Sequence, residues 1–276
     1  MMGNRDDEVI EGFGNEWQSY TQNYISDDEL QKSFNDYFRI VDLASLPRNC
    51  VAADIGCGSG RWARLVAPHV ATLYCVEPSR AIEVARRNLS GIPHVRFLNA
   101  DIDSMPIAEG ELDFLYSLGV LHHVPDTLAG IRSCTAKLKP GGRILIYLYY
   151  RFDSQPVWFK ALWQLSDLVR KAVSRMPYRA KLIFTRAIAL SVYLPLARLS
   201  GLVERLGADV TNFPLSYYRN KSLYMMKTDA LDRFGTKLEH RFTKSEIQAM
   251  LETAGLDQIQ FSPDKPHWCV TAVKPG

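Results

Sequence analysis

Between residues 49 and 150, short apolar runs alternate with stretches whose apolar positions recur at helical spacing. Val51–Ile55, Leu73–Glu77, Val95–Asn99, Leu112–Ser117 and Arg143–Tyr149 are the predicted strands. Arg61–Ala67, Arg80–Asn88 and Thr127–Leu138 are the predicted helices. Regular alternation of this kind implies right-handed crossovers and a parallel sheet. The rhythm stops at 151–225, which is helical in pattern and rich in Leu, Trp, Tyr and Arg. It resumes over 226–276. There Thr243-Lys244-Ser245-Glu246 reads as a capping box opening a helix to about Ala254, with Gly255 ending it. Leu256–Phe261 and Trp268–Val273 are two further predicted strands. Ahead of the alternating part, residues 1–48 form a polar lead-in. Its Phe13, Trp17, Tyr20 and Tyr24 are spaced so that several can share one helix face.

The first strand runs into Asp54-Ile55-Gly56-Cys57-Gly58-Ser59-Gly60 and then a helix. Glycines without Cβ atoms allow a tight turn and close approach of a ligand to the backbone, and the helix start offers free N–H groups. The spacing is G-x-G-x-G, one residue tighter than the G-x-G-x-x-G of dinucleotide-binding dehydrogenases. An acid, Asp54, stands two positions before the first glycine. It would repel a pyrophosphate and would suit a cationic ligand. Glu77 ends the second strand, where a carboxylate can accept from both hydroxyls of a ribose. Pro78 offers a flat apolar surface to a base, and Asp101 follows the third strand, placed to accept from an exocyclic amine. The fourth strand leads through Ser117 and Leu118 to His122-His123, and Leu138-Lys139-Pro140-Gly141-Gly142 feeds the fifth.

The set DIGCGSG, VEPS, NADID, DFLYSLGVLHHVPD and LKPGG resembles, in order and spacing, the class I S-adenosylmethionine-dependent methyltransferases of the bacterial small-molecule type. That resemblance implies an α/β, Rossmann-like fold: a seven-stranded, mostly parallel sheet with an antiparallel last strand. It further implies S-adenosyl-L-methionine as cofactor. Glu77 would hold the ribose, and Asp101 would read the adenine amino group, flanked by Pro78 and Ile102. The loop Asp54, Gly56, Cys57, Gly58 and Gly60 would hold the methionine part, with Ser117 and Leu118 along its other side. The lead-in Gly12-Phe13-Gly14-Asn15-Glu16-Trp17 resembles a segment that folds over the cofactor in such enzymes. It makes Trp17 and Tyr20 candidate cover residues, with core packing of an aromatic helix face as the alternative. The domains expected are a helical cover over 1–48, a cofactor-binding core over 49–150 and 226–276, and a helical substrate lid inserted at 151–225.

Composition adds limits. Hydrophobic residues make up 47% of the 276, enough for a sizeable core, and the net charge of +3 does not by itself imply nucleic acid as a partner. Five scattered cysteines, never in a C-x-x-C pair, argue against a disulfide framework or zinc site and for a reducing cytoplasm. No signal-peptide pattern is seen. Leu182–Val203 is apolar but carries Arg186, Arg198 and a kinking Pro195, and is read as helices that do not span a membrane.

The candidate catalytic residues are His122 and His123, either of which could serve as a general base near neutral pH. Adjacent histidines point to different sides, so no metal is expected. Tyr150, Arg151, His240 and Arg241 are candidate substrate contacts, with a solvated loop as the alternative for each. The lid's aromatics suggest an apolar or aromatic acceptor. Its balance over 151–200, nine Lys/Arg against Asp153 and Asp167, is +7. This suggests an anionic substrate group or a membrane surface, and the same insert could serve a homo-oligomer. The leading expectation is methylation of a small molecule, at oxygen before nitrogen or carbon. RNA or another macromolecule as acceptor, an NAD-dependent dehydrogenase and a non-catalytic cofactor-binding protein are the alternatives.

Overall fold

The computed structural model describes residues 4–21, 25–151, 156–211, 213–264 and 268–276; Tyr24 and Asp153 lie outside them. In chain order these form α1 (Asp7–Ser19), α2 (Asp27–Phe38), β1 (Val51–Ile55), α3 (Ala63–Val66), β2 (Thr72–Val76), α4 (Ala81–Asn88), β3 (Val95–Leu98), β4 (Leu112–Leu118), α5 (Thr127–Lys137) and β5 (Leu138–Tyr147). They continue with α6 (Val157–Val173), α7 (Tyr178–Ile188), α8 (Leu194–Arg205), α9 (Leu223–Gly235), α10 (Lys244–Thr253), β6 (Asp257–Phe261) and β7 (Cys269–Val273).

The seven strands make one sheet in the order β3-β2-β1-β4-β5-β7-β6. β1 to β5 run parallel, and β7 is antiparallel to both its neighbours. This is the Rossmann-like sheet with an antiparallel last strand. The central strands are buried on both faces, in keeping with their near-continuous apolar runs. Ala52, Ala53, Ile55, Leu115, Ile144 and Ile146 are all wholly buried. Several helices start on side-chain caps. Asp6 accepts from the Val9 N–H, Asp126 from Ala129 and Ser222 from Met225. Thr243 and Glu246 make the reciprocal capping box, whose backbone N–H bond draws the Glu246 carboxyl below its ordinary pKa.

Two elements depart from expectation for local reasons. The helix expected over Arg61–Ala67 is only α3, because Pro68 follows and the chain tightens into a 3₁₀ turn at Ala67–His69. β5 begins at Leu138 rather than Arg143. The Gly141-Gly142 turn is stitched to the C-terminal segment, with the Gly141 N–H on Lys274 O at 2.8 Å and the Lys274 N–H on Gly142 O at 2.9 Å.

The chain divides into two compact units. The larger comprises Met1–Gln22, Leu30–Arg151 and Leu238–Gly276, and the smaller Asn23–Glu29 and Phe152–Lys237. The smaller unit is helical. Its core is Val173, Ala189, Tyr193, Ala197, Met226, Ala230 and Phe234. A boundary at 225 would cut α9 in two. The helix belongs whole to this unit because Met226, Ala230 and Phe234 lie on its buried face. The helical run expected to kink at Pro195 continues through it. The run widens through a π turn at Ala189–Tyr193, and Pro195 takes the first turn of α8, where its missing N–H is least costly.

Candidate active site

A cleft of about 810 Å³, counted with its open mouth, lies at the carboxyl ends of β1, β2 and β4. The strand order reverses between β1 and β4, and such switch points are where open α/β sheets bind ligands. Ile55 and Gly56 form its floor, Val76, Glu77 and Pro78 one wall, and Ala100, Asp101 and Ile102 the end of that wall. Leu118, Gly119, Val120, His123 and Val124 form the facing side, and Val9, Ile10, Phe13 and Trp17 of α1 lie across it.

The three loop glycines all need positive φ: 73° at Gly56, 54° at Gly58 and 77° at Gly60. A Cβ at Gly56 would sit 2.4 Å from Val120 Cγ2, and one at Gly58 would sit 2.9 Å from the Trp17 ring. Gly58 and Gly60 therefore serve loop packing: Trp17 lies on the first, and Leu89 (2.8 Å from a Gly60 Cβ) against the second. Glu77 ties the loop to the next strand. Its Oε2 accepts from the Gly58 N–H at 3.1 Å and its Oε1 from the Ser79 N–H at 3.0 Å. Burial pushes its carboxyl pKa up, and those N–H bonds oppose the rise. Asn99 pins the turn after Glu77 by donating to the Glu77 and Pro78 carbonyls.

Asp101 was expected to meet an exocyclic amine, and it lines the cleft. Its Oδ2 accepts from Arg5 Nη1 at 2.9 Å, and its buried Oδ1 has no hydrogen-bond partner among the described residues. Arg5 and Asn4 were not legible as site residues. Asn4 exchanges hydrogen bonds with Asp126 and donates its N–H to Asp103, which carries the N-terminal segment across about a hundred residues of sequence to the cleft. No local pattern signals such a contact.

Several expected contacts sit behind the cleft surface. Asp54 is 2% exposed at the end of β1 and does not line the cleft. Burial pushes its carboxyl up to about 8, with the neighbouring Tyr116 hydroxyl opposing, so at neutral pH it is mostly uncharged. Cys57 is buried against Cys75, which together with burial raises its thiol pKa. The Ser117 hydroxyl donates to Ile55 O at 3.1 Å and braces β4 against β1. Tyr20 is 3% exposed and does not line the cleft, so of the two candidate cover residues only Trp17 reaches it.

The two histidines part company. His122 is wholly buried, its ring stacked on Tyr149 with centroids 3.7 Å apart, and neither ring nitrogen has a hydrogen-bond partner among the described residues. Burial holds its pKa well below the ordinary value, aided by His123, Arg241 and His240. His123 lines the cleft, 5.0 Å between centroids from Phe13. Its Nδ1 is 2.7 Å from Leu238 O. A carbonyl can only accept, so Nδ1 carries the proton and Nε2 is the basic nitrogen.

None of the four expected substrate contacts lines the cleft. Tyr150 is buried in an isolated bridge with Phe242 and packs edge-on to Trp268. Arg151 is exposed and pairs with Glu246 at 2.8 Å. Arg241 donates to Glu239 and to Tyr150 O and lies over the Tyr149 ring. The His240 N–H donates to His122 O. Together they fasten segment 239–242 to the end of β5.

Residues 53–146 match the Methyltransferase domain family. Over 94 residues the chain is 34% identical to a ubiquinone biosynthesis O-methyltransferase of Vibrio parahaemolyticus, covering 33% of this chain and 40% of that protein. Over 115 residues it is 27% identical to the mouse (Mus musculus) tRNA (carboxymethyluridine(34)-5-O)-methyltransferase ALKBH8, covering 40% of this chain and 16% of that one. The chain thus spans less than half the length of the curated relatives it matches. An S-adenosylmethionine-dependent methyltransferase from Aquifex aeolicus shares the fold, with a TM-score of 0.51 at 12% identity over 92% of this chain and 96% of that one. Residues 53–146 thus match a methyltransferase domain, and the seven-stranded sheet that holds them has the fold of a solved S-adenosylmethionine-dependent methyltransferase.

Proposed function

We propose that this chain transfers a methyl group from S-adenosylmethionine to a small apolar or aromatic metabolite, at oxygen in preference to nitrogen or carbon. The observation that carries the reading is the disposition of the cleft. Two carboxylates, Glu77 and Asp101, stand on one wall beside Pro78 and Ile102, and an aromatic and imidazole pair, Phe13 and His123, stands opposite. The first group suits the hydroxyls, amine and flat faces of a nucleoside. The Asp101 oxygen without a hydrogen-bond partner among the described residues fits the cofactor as well. When bound, S-adenosylmethionine supplies a methyl group already activated by a sulfonium.

The chain's own residues then have limited tasks. Gly56 and Val120 fix the floor, and Trp17 and Phe13 exclude water. Holding the acceptor atom about 3–3.5 Å from the methyl carbon supplies most of the rate gain. An acceptor hydroxyl must lose a proton, and His123 Nε2 is the base we assign to it. His122, neutral and stacked behind it, positions Tyr149. The five buried thiols suit a reducing compartment, and we propose a cytoplasmic setting.

A second reading, methylation of RNA, draws on the tRNA methyltransferase among the relatives and on the +7 balance of residues 151–200. Incubation with methyl-labelled cofactor and separate pools of small phenols, amines and bulk tRNA distinguishes the two. Label in the phenol pool is expected, and label confined to tRNA would overturn the first reading. Stabilisation by NAD but not by S-adenosylhomocysteine in a melting assay would overturn both.

A further inference from the structure

α7 and α8 turn many of their large aliphatic side chains outward and mostly small ones inward. Along α7 and α8 the buried positions are Thr185, Ala189, Tyr193, Ala197 and Ser200. The exposed ones include Ile183 at 71%, Leu202 at 54% and Leu206 at 79%, and α6 exposes Leu165 and Leu168 at 61% and 63%. A helix packed in a water-soluble unit does the reverse, and contiguous exposed apolar surface marks something that covers it.

Cations share these faces. Arg179, Ile183, Arg186 and Leu190 are all exposed and follow one another at spacings of four, three and four, which is a single helical stripe alternating cation and aliphatic. Where α6 ends, exposed Leu168, Lys171 and Arg175 follow at spacings of three and four, with Lys171 paired to Asp167 at 3.1 Å. Long basic side chains can lay their stems on apolar surface while their heads reach anionic groups, which is the pattern of a helix lying in a lipid headgroup layer. A second copy of the chain would bring another +7 segment against the first, and like charges oppose that. Tyr178–Arg205 is long and apolar enough to cross a membrane, about 42 Å at helical rise. Its other face, however, is closed by Ala189, Tyr193 and Ala197 in the core they share with Met226, Ala230 and Phe234. The run can therefore lie along a bilayer while keeping that core.

We propose that the outward faces of α6, α7 and α8 dock on the surface of a bilayer carrying anionic phospholipid. The proposal is independent of the methyl acceptor. The test is flotation of the full chain with phosphatidylcholine vesicles, with or without about 30 mol% phosphatidylglycerol. The chain should float with the anionic vesicles and bind roughly tenfold or more weakly to the neutral ones. Ile183→Glu with Leu190→Glu should abolish flotation with an unchanged circular dichroism melt. Arg179→Gln with Arg186→Gln should weaken it about tenfold or more, at about fivefold per cation. No flotation with either vesicle overturns the proposal. So does equal binding to both, or wild-type self-association in light scattering that Ile183→Glu with Leu190→Glu dissolves.

Discussion

Substituting Glu77 by Gln keeps the side-chain volume and removes both the charge and one acceptor atom. In the native loop each carboxylate oxygen accepts one backbone N–H, from Gly58 at 3.1 Å and from Ser79 at 3.0 Å. A Gln amide offers one oxygen, so one of those buried donors faces an NH₂ and loses its partner, at a cost of about 1–3 kcal/mol. Part of this is returned because a neutral amide escapes the burial that pushes the Glu77 carboxyl up. A net loss of about 1–2 kcal/mol corresponds to a fall of roughly 2–8 °C in Tm for a chain of this size. The effect on ligand should be larger. Hydrogen bonds from two ribose hydroxyls to a carboxylate are each worth about 1–1.5 kcal/mol more than to a neutral acceptor, or about 2–3 kcal/mol together. Calorimetric titration with S-adenosylhomocysteine should then show a Kd roughly 30–150-fold weaker. A Kd within about twofold of wild type, alongside the lowered Tm, would show that the carboxylate serves only the loop. The ribose assignment would then be wrong.

Three further outcomes follow from the same geometry. The Asp54 carboxyl is held at about 8 against an ordinary 3.8, so between those values the folded chain keeps a proton that the unfolded chain has released. Stability is then highest below the lower value and falls as pH rises through the window, by at most about 3 kcal/mol from pH 5 to 7. Asp54→Asn should flatten that decline in pH-dependent melting, and equal slopes would contradict the shift. Gly56→Ala forces a side chain to φ 73° and to 2.4 Å from Val120, and should cost about 2–4 kcal/mol in urea unfolding. Adding Val120→Ala should recover the steric part but not the roughly 1 kcal/mol of backbone strain, and no coupling between the two sites would refute the clash. His123→Gln should lower kcat for methyl transfer about a hundredfold with little change in cofactor affinity, whereas His122→Gln should act mainly on the melting temperature. The opposite assignment of effects would exchange the roles of the two histidines.

The sheet was legible in sequence because its central strands are buried on both faces, and burial writes itself as near-continuous apolar runs such as Val51–Ile55 and Leu112–Ser117, each broken by a single aspartate. The glycine loop was legible for a related reason: three positive-φ positions in five residues leave glycine as the unstrained choice. Glu77 and Asp101 could be placed at the cleft because Glu77 follows β2 directly and Asp101 lies three residues past β3, and strand ends are where a parallel sheet keeps its ligand site. What residue order could not convey is which side of a wall a residue occupies. Asp54, Ser117 and His122 stand within a few positions of the cleft, yet the pleat and the packing behind β1 and β4 turn them inward. Burial then changes their chemistry, leaving Asp54 mostly uncharged and His122 neutral. Nor could it convey contacts made across long separations, such as Arg5 with Asp101 or His123 with Leu238. The residue types at the site were therefore set by local backbone demands that sequence displays. Which of them face the ligand, and in what charge state, was decided only when distant segments closed around them and removed the water.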